Sequence, residues 1–205
     1  MPQRGRRPGD TDTRERILEM ARSAFAEHGY DRATIRLIAG EADVDPALVH
    51  HYFGTKEDLF AAAVDIPFNP GEALQAIFAG GVEGAGEWLA RLFFTIWEGE
   101  ASRRAMLGQL RRALTAGAEP SPLAEFVTRA VLPRITPHLG GPDRELRAEL
   151  AASQLLGLAI LRYVVRMEPV ASTPVERLIE QVAPRIQSYL AGSVDGRTAT
   201  GASLA

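Results

Sequence analysis

The side chains of this chain that could take part in catalysis are few, and their spacing matches no common active site. The sequence contains no cysteine, which excludes thiol catalysis, disulfide bonds and zinc sites built on cysteine. Beyond residue 70, His138 is the only histidine, and no spacing in that half organises a reactive serine. An enzyme would need a convergent acid–base or nucleophile cluster there. The sequence therefore predicts that the protein is not an enzyme.

Two further motifs suggest a metal ion or a nucleotide, but each has the wrong spacing. His50 and His51 are adjacent, so on a helix their side chains diverge by about 100°, whereas helical ligand pairs favour i, i+4 spacing. The Gly-Thr-Lys run at 54–56 has the letters of a phosphate-binding loop in the wrong order and lacks the upstream glycine. The glycine-rich segment at 79–86 has neither the GxGxxG spacing nor a preceding strand. We therefore predict no metal site and no cofactor.

A different chemistry, hydrogen bonding to DNA, is indicated by the stretch from Thr34 to Leu59. Two short helical patterns flank a tight connection here, and a further helix begins at a Thr-Lys-Glu cap. This is the layout of a helix-turn-helix, which places one helix in the major groove of DNA. Residues 1–60 hold nine basic and eleven acidic residues, a net charge of −2, whereas a nonspecific nucleic-acid binder is strongly basic. Binding must therefore depend on a few well-placed groups.

Capping signals predict four helices up to residue 66. The expected N-terminal caps, in chain order, are Thr11 or Asp12, Thr34, Asp45 and Thr55. Gly29 is expected to end the first helix and Gly54 the third. Pro46, directly after the third cap, fits the first turn of a helix because no N–H partner is needed there. The tight connection then lies between the second and third helices, as a helix-turn-helix requires.

The remainder of the chain also has the pattern of an all-α protein. Apolar residues recur at helical spacing, and we find neither an alternating strand pattern nor an internal repeat. The predicted helices cover about 72–79, 87–98, 102–115, 122–132, 143–167 and 173–190, with Asp143 and Thr173 as caps of the last two. Pro184 is expected to kink or break the last helix. No run approaches 18 uninterrupted apolar residues and no secretory signal is seen, so we expect a cytoplasmic protein without a membrane span.

Residues 12–66 resemble the N-terminal part of the TetR family of transcriptional regulators. The resemblance is carried by Phe25, Gly29, Tyr30, Thr34, Ile38, Ala39, Val44, the run from His50 to Phe53, Lys56 and Leu59. Asp43 stands where the family usually has glycine, but aspartate tolerates left-handed backbone better than most residues, so the turn should be kept. His50 stands where the family favours a tyrosine that contacts phosphate. Residues 70–205 share only the all-helical character.

The resemblance implies an all-α protein with an N-terminal three-helix helix-turn-helix DNA-binding domain and a C-terminal helical domain for ligand binding and dimerisation. We place the first domain at residues 1–66 and the second at 67–192, and predict a disordered tail at 193–205 from its small polar residues. The implied function is sequence-specific regulation of transcription, with repression relieved by a ligand. The alternatives are a helical small-molecule-binding protein and a protein-interaction module, neither of which binds DNA.

The family's DNA contacts can be transferred position by position. By resemblance, Thr34 and Lys56 anchor phosphates, and Arg36 can reach a base, where guanine is the best partner for arginine. The N-terminal arginines could enter the minor groove, although they could equally form a solvated tail; Tyr52 could pack instead of touching DNA. The complete predicted DNA-binding set is Arg4, Arg6, Arg7, Thr34, Arg36, Pro46, Ala47, Leu48, His50, His51, Tyr52 and Lys56.

Two apolar groups in the C-terminal half are assigned to ligand binding and to dimerisation. An aromatic-rich group is either ordinary core or the lining of an effector pocket; the predicted pocket residues are Trp88, Leu92, Ile96, Trp97, Met106, Leu110 and Phe126. Apolar stripes on the last two helices predict a four-helix interface between two copies. Its predicted residues are Leu150, Leu158, Leu161, Leu178, Val182 and Ile186. Alternatively, both helices pack only on their own domain. The expected partners are thus double-stranded operator DNA, an unidentified small-molecule effector and a second copy of the chain, with no membrane.

Overall fold

A computed structural model describes residues 8–115 and 121–192, and within these ranges it contains helices and no strand. The helices are α1 (Pro8–Arg32), α2 (Ile35–Glu41), α3 (Pro46–Phe53), α4 (Lys56–Ala63), α5 (Pro70–Phe78), α6 (Ala85–Glu98), α7 (Glu100–Thr115), α8 (Pro122–Phe126), α9 (Leu132–Ile135), α10 (Arg144–Ala159) and α11 (Val175–Ala191). Short π-helical segments, Val127–Val131 and Ile160–Val165, follow α8 and α10, and a 3-10 turn, Thr136–His138, follows α9. The expectation of an all-α fold is confirmed.

The capping predictions for the short helices are confirmed. The Thr34 hydroxyl accepts from the amide of Leu37 at 3.1 Å and caps α2. The Asp45 carboxylate accepts from the amide of Ala47 at 2.7 Å and caps α3. Thr55 and Asp58 cap α4 reciprocally, each side chain accepting from the other's backbone amide, at 3.2 and 3.1 Å. Each cap satisfies amides that a helix N-terminus otherwise leaves without partners.

The two ends of α1 differ in how well the sequence predicts them. Gly29 interrupts the helix with φ 80° and ψ 172°, a backbone conformation that a side chain disfavours, so the predicted end is confirmed. The predicted start at Thr11 or Asp12 is wrong, because the helix already begins at Pro8. Proline is well suited to that first position, since its fixed φ is helical and its missing N–H would have no partner.

Three predictions about the later helices need correction. Pro184 lies inside α11 but does not break it; the residue is exposed, so water can reach the carbonyl that its missing N–H leaves without a donor. Thr173 does not cap α11, because its hydroxyl donates to the carbonyl of Pro169 at 2.7 Å and the helix begins at Val175. Asp143 does precede α10, but with left-handed backbone and no side-chain capping bond.

The chain divides into two compact units. The first comprises the described parts of Met1–Ala76 and Thr95–Arg134, and the second those of Ile77–Phe94 and Ile135–Ala205. The core of the first unit is an aromatic cluster of Phe25, Tyr30, Phe60 and Phe126, whose ring centroids lie 4.6–5.9 Å apart. The proposed boundary at residue 66 and the predicted tail at 193–205 stay predictions, and the tail lies outside the described residues.

The second unit is built on the packing of α10 against α11. Ile186 and Leu190 of α11 are buried, as are Ala148 and Ala151 of α10. The guanidinium of Arg147 is also buried and donates to the carbonyls of Tyr189 and Leu190, at 3.4 and 3.5 Å, at the C-terminal end of α11. A helix C-terminus carries partial negative charge, so it can accommodate this cation without a carboxylate.

One face of α10 remains uncovered. Of the described residues, the run Arg144–Val165 is long and apolar enough, by length and composition alone, to cross a membrane, and only 17% of its most apolar stretch is buried. The large apolar side chains exposed along and just beyond this run are Leu146, Leu150, Leu156, Val165 and Met167. An apolar surface of this extent on a helix calls for a partner.

Candidate nucleic-acid interface

α3 has one buried side and one exposed side, and the turn before it sets this orientation. Asp43 adopts φ 51° between α2 and α3, as the sequence predicted for this left-handed turn. The amide of Val44 then donates back to the carbonyl of Ala39 at 2.9 Å, which closes the turn. Val49 and Phe53 of α3 are buried, 0% and 8% exposed, so the opposite side of the helix faces solvent.

The structure brings most of the predicted DNA-binding residues to an accessible surface. Those on exposed positions are Thr34, Arg36, Ala47, Leu48, His50 and His51, and those that are half-buried are Pro46, Tyr52 and Lys56. Arg4, Arg6 and Arg7 lie outside the described residues. The Thr34 hydroxyl, although it caps α2, keeps its own proton to donate to a phosphate. The imidazole of His51 packs edge-on against the ring of Tyr52, 5.3 Å between centroids, so these two neighbours form one surface.

The side chain of His50 is held by the end of its own helix. Its Nδ1 lies 2.8 Å from the carbonyl oxygen of Gly54, and the Gly54 amide donates to the carbonyl of His50 at 2.9 Å. A carbonyl oxygen can only accept, so Nδ1 carries the proton and is the donor. This contact depends on the backbone conformation of Gly54, with φ 77°, which residue spacing alone does not indicate.

Lys56 lies against the end of α1. Its Nζ donates to the carbonyl of Asp31 at 3.1 Å and sits 4.5 Å from the centre of the Tyr30 ring. Partial burial lowers the pKa of Lys56 below its ordinary value, and the nearby acids Asp31, Glu57 and Glu125 oppose that shift. Burial likewise raises the pKa of Tyr30, assisted by the charge of Glu57 and its hydrogen bond. The ammonium still has two N–H donors for a phosphate.

The end of α1 also holds α8. The Glu125 carboxylate accepts from the amide of Asp31 at 3.1 Å, and the Arg129 guanidinium lies 3.4 Å from the Asp31 carboxylate. A Cβ on Gly29 would lie only 2.9 Å from an oxygen of Glu125, so the carboxylate would have to shift to accommodate it. Asp31 and Glu125 are 94 residues apart in the chain, so local sequence patterns do not indicate this contact.

The predicted effector residues divide between the two units. Trp88 is 61% exposed and Leu92 half-buried, both in the second unit. In the first unit, Ile96 is half-buried, while Trp97, Met106, Leu110 and Phe126 are buried, 2–8% exposed. Trp88 therefore lines no enclosed pocket in this structure, and Phe126 has the core role of the two that the sequence left open.

A groove of about 350 Å³ opens in the second unit along α6 and α11. Its lining residues are Gly84, Glu87, Arg91, Glu176, Ile179, Glu180, Ala183, Pro184 and Gln187. Arg91 is paired there with Glu87 and with Glu176, each at 3.0 Å. None of the predicted effector residues lines this groove, whose lining includes the charged side chains of Glu87, Arg91 and Glu176.

The predicted dimer residues are accessible with one exception. Leu150 is 36% exposed, and the others that are accessible, all half-buried, are Leu158, Leu161, Leu178 and Val182. Ile186 is 0% exposed, so its assignment to an interface is wrong. It belongs to the same apolar stripe but faces the interior of its own unit. Leu146, Leu156 and Val165 are also exposed on the same run of helix, and the predicted dimer residues do not include them.

α2 and α3 are joined by the left-handed turn at Asp43, and α3 is capped and exposed on one side. This arrangement defines a helix-turn-helix protein. Residues 17–63 match the family model described as bacterial regulatory proteins, tetR family, and residues 83–190 match that of the tetracyclin repressor-like C-terminal domain. The solved structure of TetR-family regulator SCO0857 from Streptomyces coelicolor A3 is 39% identical, with 91% of this chain and 98% of that chain covered and a TM-score of 0.55. The chain therefore belongs to the TetR family.

The curated relatives match over short stretches of their length. The HTH-type transcriptional repressor AcnR of Corynebacterium glutamicum is 46% identical over 52 residues, which are 25% of this chain and 28% of that protein. The HTH-type transcriptional repressor SCO4008 of Streptomyces coelicolor is 37% identical over 67 residues, covering 28% of this chain and 35% of that protein. The chain thus matches about a third or less of the length of these relatives.

Proposed function

We propose that this protein is a sequence-specific DNA-binding regulator that represses transcription and is not an enzyme. The observation that carries the proposal is the geometry of α3, a helix capped by Asp45, buried through Val49 and Phe53, and exposed on the side that holds His50 and His51. Such a helix can enter a major groove about 12 Å wide. Repression is supported by relatives named transcriptional repressors, among them AcnR and SCO4008. A cytoplasmic location is proposed with it, since a regulator must reach the DNA.

The residues around α3 divide between base reading and phosphate binding. We assign Arg36 to a guanine, because its guanidinium can make two hydrogen bonds to O6 and N7, and Ala47 and Leu48 to apolar contact with thymine methyl groups. Thr34 and Lys56 lie at the N-terminal ends of α2 and α4, where the helix dipole favours a phosphate. The arm arginines Arg4, Arg6 and Arg7 are proposed to reach the adjacent minor groove.

The uncovered face of α10 is proposed to bind a second copy of the chain. Leu146, Leu150 and Leu156 are exposed there, and Leu178 and Val182 of α11 are half-buried. A two-fold dimer through α10 and α11 would bury these side chains in a four-helix interface. A dimer would also carry two copies of α3, and the half-sites of helix-turn-helix dimers lie one helical turn of DNA apart, about 34–36 Å.

An effector would act through α8. The buried side chains Trp97, Met106 and Leu110 supply an apolar environment in the first unit, which suits an apolar small molecule. α8 packs on α7 and on α1, so a ligand that displaces α8 would change the end of α1, where Lys56 is held. Ligand and operator would then oppose each other through one coupling free energy.

The proposal is tested with a duplex selected by the full chain from a pool of random 30-base-pair sequences. We expect the protein to enrich a two-fold symmetric sequence and to bind it in a fluorescence anisotropy titration. Arg36→Ala should weaken binding by about tenfold or more per half-site and relax specificity at one base pair. Arg104→Ala is the matched control, since it removes the same charge from an exposed surface ion pair with Glu100. Enrichment of no sequence above the starting pool would contradict the proposal and favour a ligand-binding or protein-interaction role.

A further inference from the structure

The hydrogen bond between His50 and Gly54 fixes which nitrogen of the imidazole can face DNA. Nδ1 must be the donor in this 2.8 Å contact, because its partner is a carbonyl oxygen. A neutral imidazole carries one N–H only. In the neutral side chain the other nitrogen, Nε2, therefore has a lone pair and no proton.

A DNA phosphate requires a hydrogen-bond donor, whereas Nε2 of neutral His50 is an acceptor. Its oxygens carry negative charge and only accept hydrogen bonds, so a lone pair on Nε2 gains nothing from them. When the imidazole is protonated, Nε2 becomes a donor with a positive charge, and the contact becomes a charge-assisted hydrogen bond. The bond from Nδ1 to Gly54 is compatible with both forms, so protonation leaves α3 in place and changes only what Nε2 presents.

We propose that His50 makes DNA binding depend on pH, because this residue contacts a backbone phosphate only in its doubly protonated form. The inference rests on the proposed function, since it concerns how the same surface binds DNA. Imidazoles ordinarily change charge between pH 5 and 8, so binding should weaken as pH rises through that range. By linkage, DNA that prefers the protonated form also promotes proton uptake, up to one proton per protomer.

The charged groups around His50 come from every element that packs on α3. On α3 and its cap these groups are His51 and Asp45, and in the turn before the cap the group is Asp43. α4 contributes Lys56, Glu57 and Asp58, and α2 contributes Arg36 and Glu41. α1 contributes Arg14, whose guanidinium lies 4.9 Å from the centre of the Phe53 ring. Asp58 is engaged by Thr55, and Lys56 by Asp31. These groups are solvent-accessible and screened by salt over about 10 Å, and they are present with and without DNA. The phosphate itself is the charge that distinguishes bound from free protein.

His51 provides an internal control, because it is also an exposed imidazole on α3. Its ring lies against the ring of Tyr52, a contact that does not dictate which nitrogen carries the proton. A neutral His51 can therefore adopt the tautomer that donates to a DNA acceptor, so its hydrogen bond does not require protonation.

The test measures binding of the full chain to the selected duplex at constant salt from pH 5.5 to 8.5. Wild type is expected to bind about tenfold or more weakly per protomer at the high end, since a hydrogen bond to a charged group is lost. His50→Tyr should remove most of this dependence, because a phenol donates at every pH in the range, and it should bind more tightly than wild type at pH 8.5. His51→Gln should keep the steepness of the wild-type pH dependence, whatever its effect on affinity. A His50→Tyr profile as steep as that of wild type would overturn the inference.

Two further measurements separate a phosphate contact from a general effect of pH. The slope of log affinity against log salt should be steeper at pH 5.5 than at pH 8.5 by about 0.9 per protomer in wild type but not in His50→Tyr, as expected for one more neutralised phosphate. Long-range ¹H–¹⁵N spectra of the DNA-free chain at pH 8.5 should show His50 protonated on Nδ1; protonation on Nε2 would refute the mechanism. Binding without pH dependence defeats this inference alone, whereas no DNA binding at any pH defeats the proposed function as well.

Discussion

Leu48 on α3 and Leu150 on α10 are equally exposed, 37% and 36%, yet their surroundings differ. Leu48 lies among polar side chains on a helix whose caps and buried face are complete within one protomer. Leu150 lies among further exposed apolar side chains, including Leu146 and Leu156, on a helix that remains largely uncovered. The fraction of a side chain that is exposed therefore does not reveal its role; the chemistry of its neighbours does. The α3 surface suits a polar ligand such as DNA, and the α10 surface suits a second apolar surface.

The largest effect is expected when the same negative charge is placed at Leu150 and at Leu48. Leu150→Glu should convert a dimer into a monomer at micromolar concentration, because an unpaired carboxylate in an apolar interface is costly, and operator affinity should fall by about a hundredfold or more with the loss of two-site binding. Leu48→Glu should leave the dimer intact while it weakens DNA binding by repelling phosphates. Analytical ultracentrifugation and anisotropy would check both; a dimeric Leu150→Glu variant would place the interface elsewhere.

A second prediction concerns the aromatic cluster that supports the α3 side of the comparison. Phe126→Ala should lower the free energy of unfolding by about 3–5 kcal/mol, because Phe126 is 4% exposed and stacks on Phe60 at 4.6 Å. Trp88→Ala is the matched control, and it should cost little, since that ring is 61% exposed. Urea unfolding monitored by circular dichroism gives both values. Equal costs would indicate that Trp88 is covered in the protein in solution.

A smaller effect is expected at the caps that make the helix-turn-helix complete. Thr55→Ala should lower the free energy of unfolding by about 1 kcal/mol, since it removes both side-chain bonds of the capping box. Thr55→Ser keeps the hydroxyl and should restore most of that stability. Thermal unfolding of the two variants would measure the difference, and an unchanged alanine variant would show that α4 is held by packing alone.

The smallest expected effect is a pH dependence at Lys56. Burial lowers the pKa of this lysine in the folded protein, so the unfolded chain binds more protons between the folded value and the ordinary value near 10.4. Stability contributed at this site should therefore rise with pH through that window. The free energy of unfolding of wild type, relative to Lys56→Met, should increase from pH 8 to 10. A difference that stays flat would place the ammonium in water rather than against Tyr30.

The parts of the fold that could be predicted from the sequence are those fixed by near neighbours. The caps at Thr34, Asp45 and Thr55 and the left-handed turn at Asp43 each depend on residues within three positions, so their chemistry is readable in a single chain. The family resemblance then located the DNA-binding helix.

The features that escaped prediction depend on residues distant in the chain or on backbone geometry. Lys56 meets the end of α1, and Glu125 meets the same place from 94 residues away. Helical periodicity could not separate Ile186 from Val182, because a stripe shows which face is apolar and not which part of it the protomer covers. The predicted effector residues fall in two different units for the same reason. Their positions in the sequence show that they are apolar but do not show which of them line a common cavity.

The bond between Glu125 and the Asp31 amide gives this molecule a built-in reporter. Asp31 follows the break at Gly29 at an exposed position, where an amide would ordinarily exchange its hydrogen with water quickly. Because it donates to a carboxylate on α8, its exchange should be slow only while α8 is docked. The exchange rate of this one amide would therefore report whether α8 is docked on the end of α1.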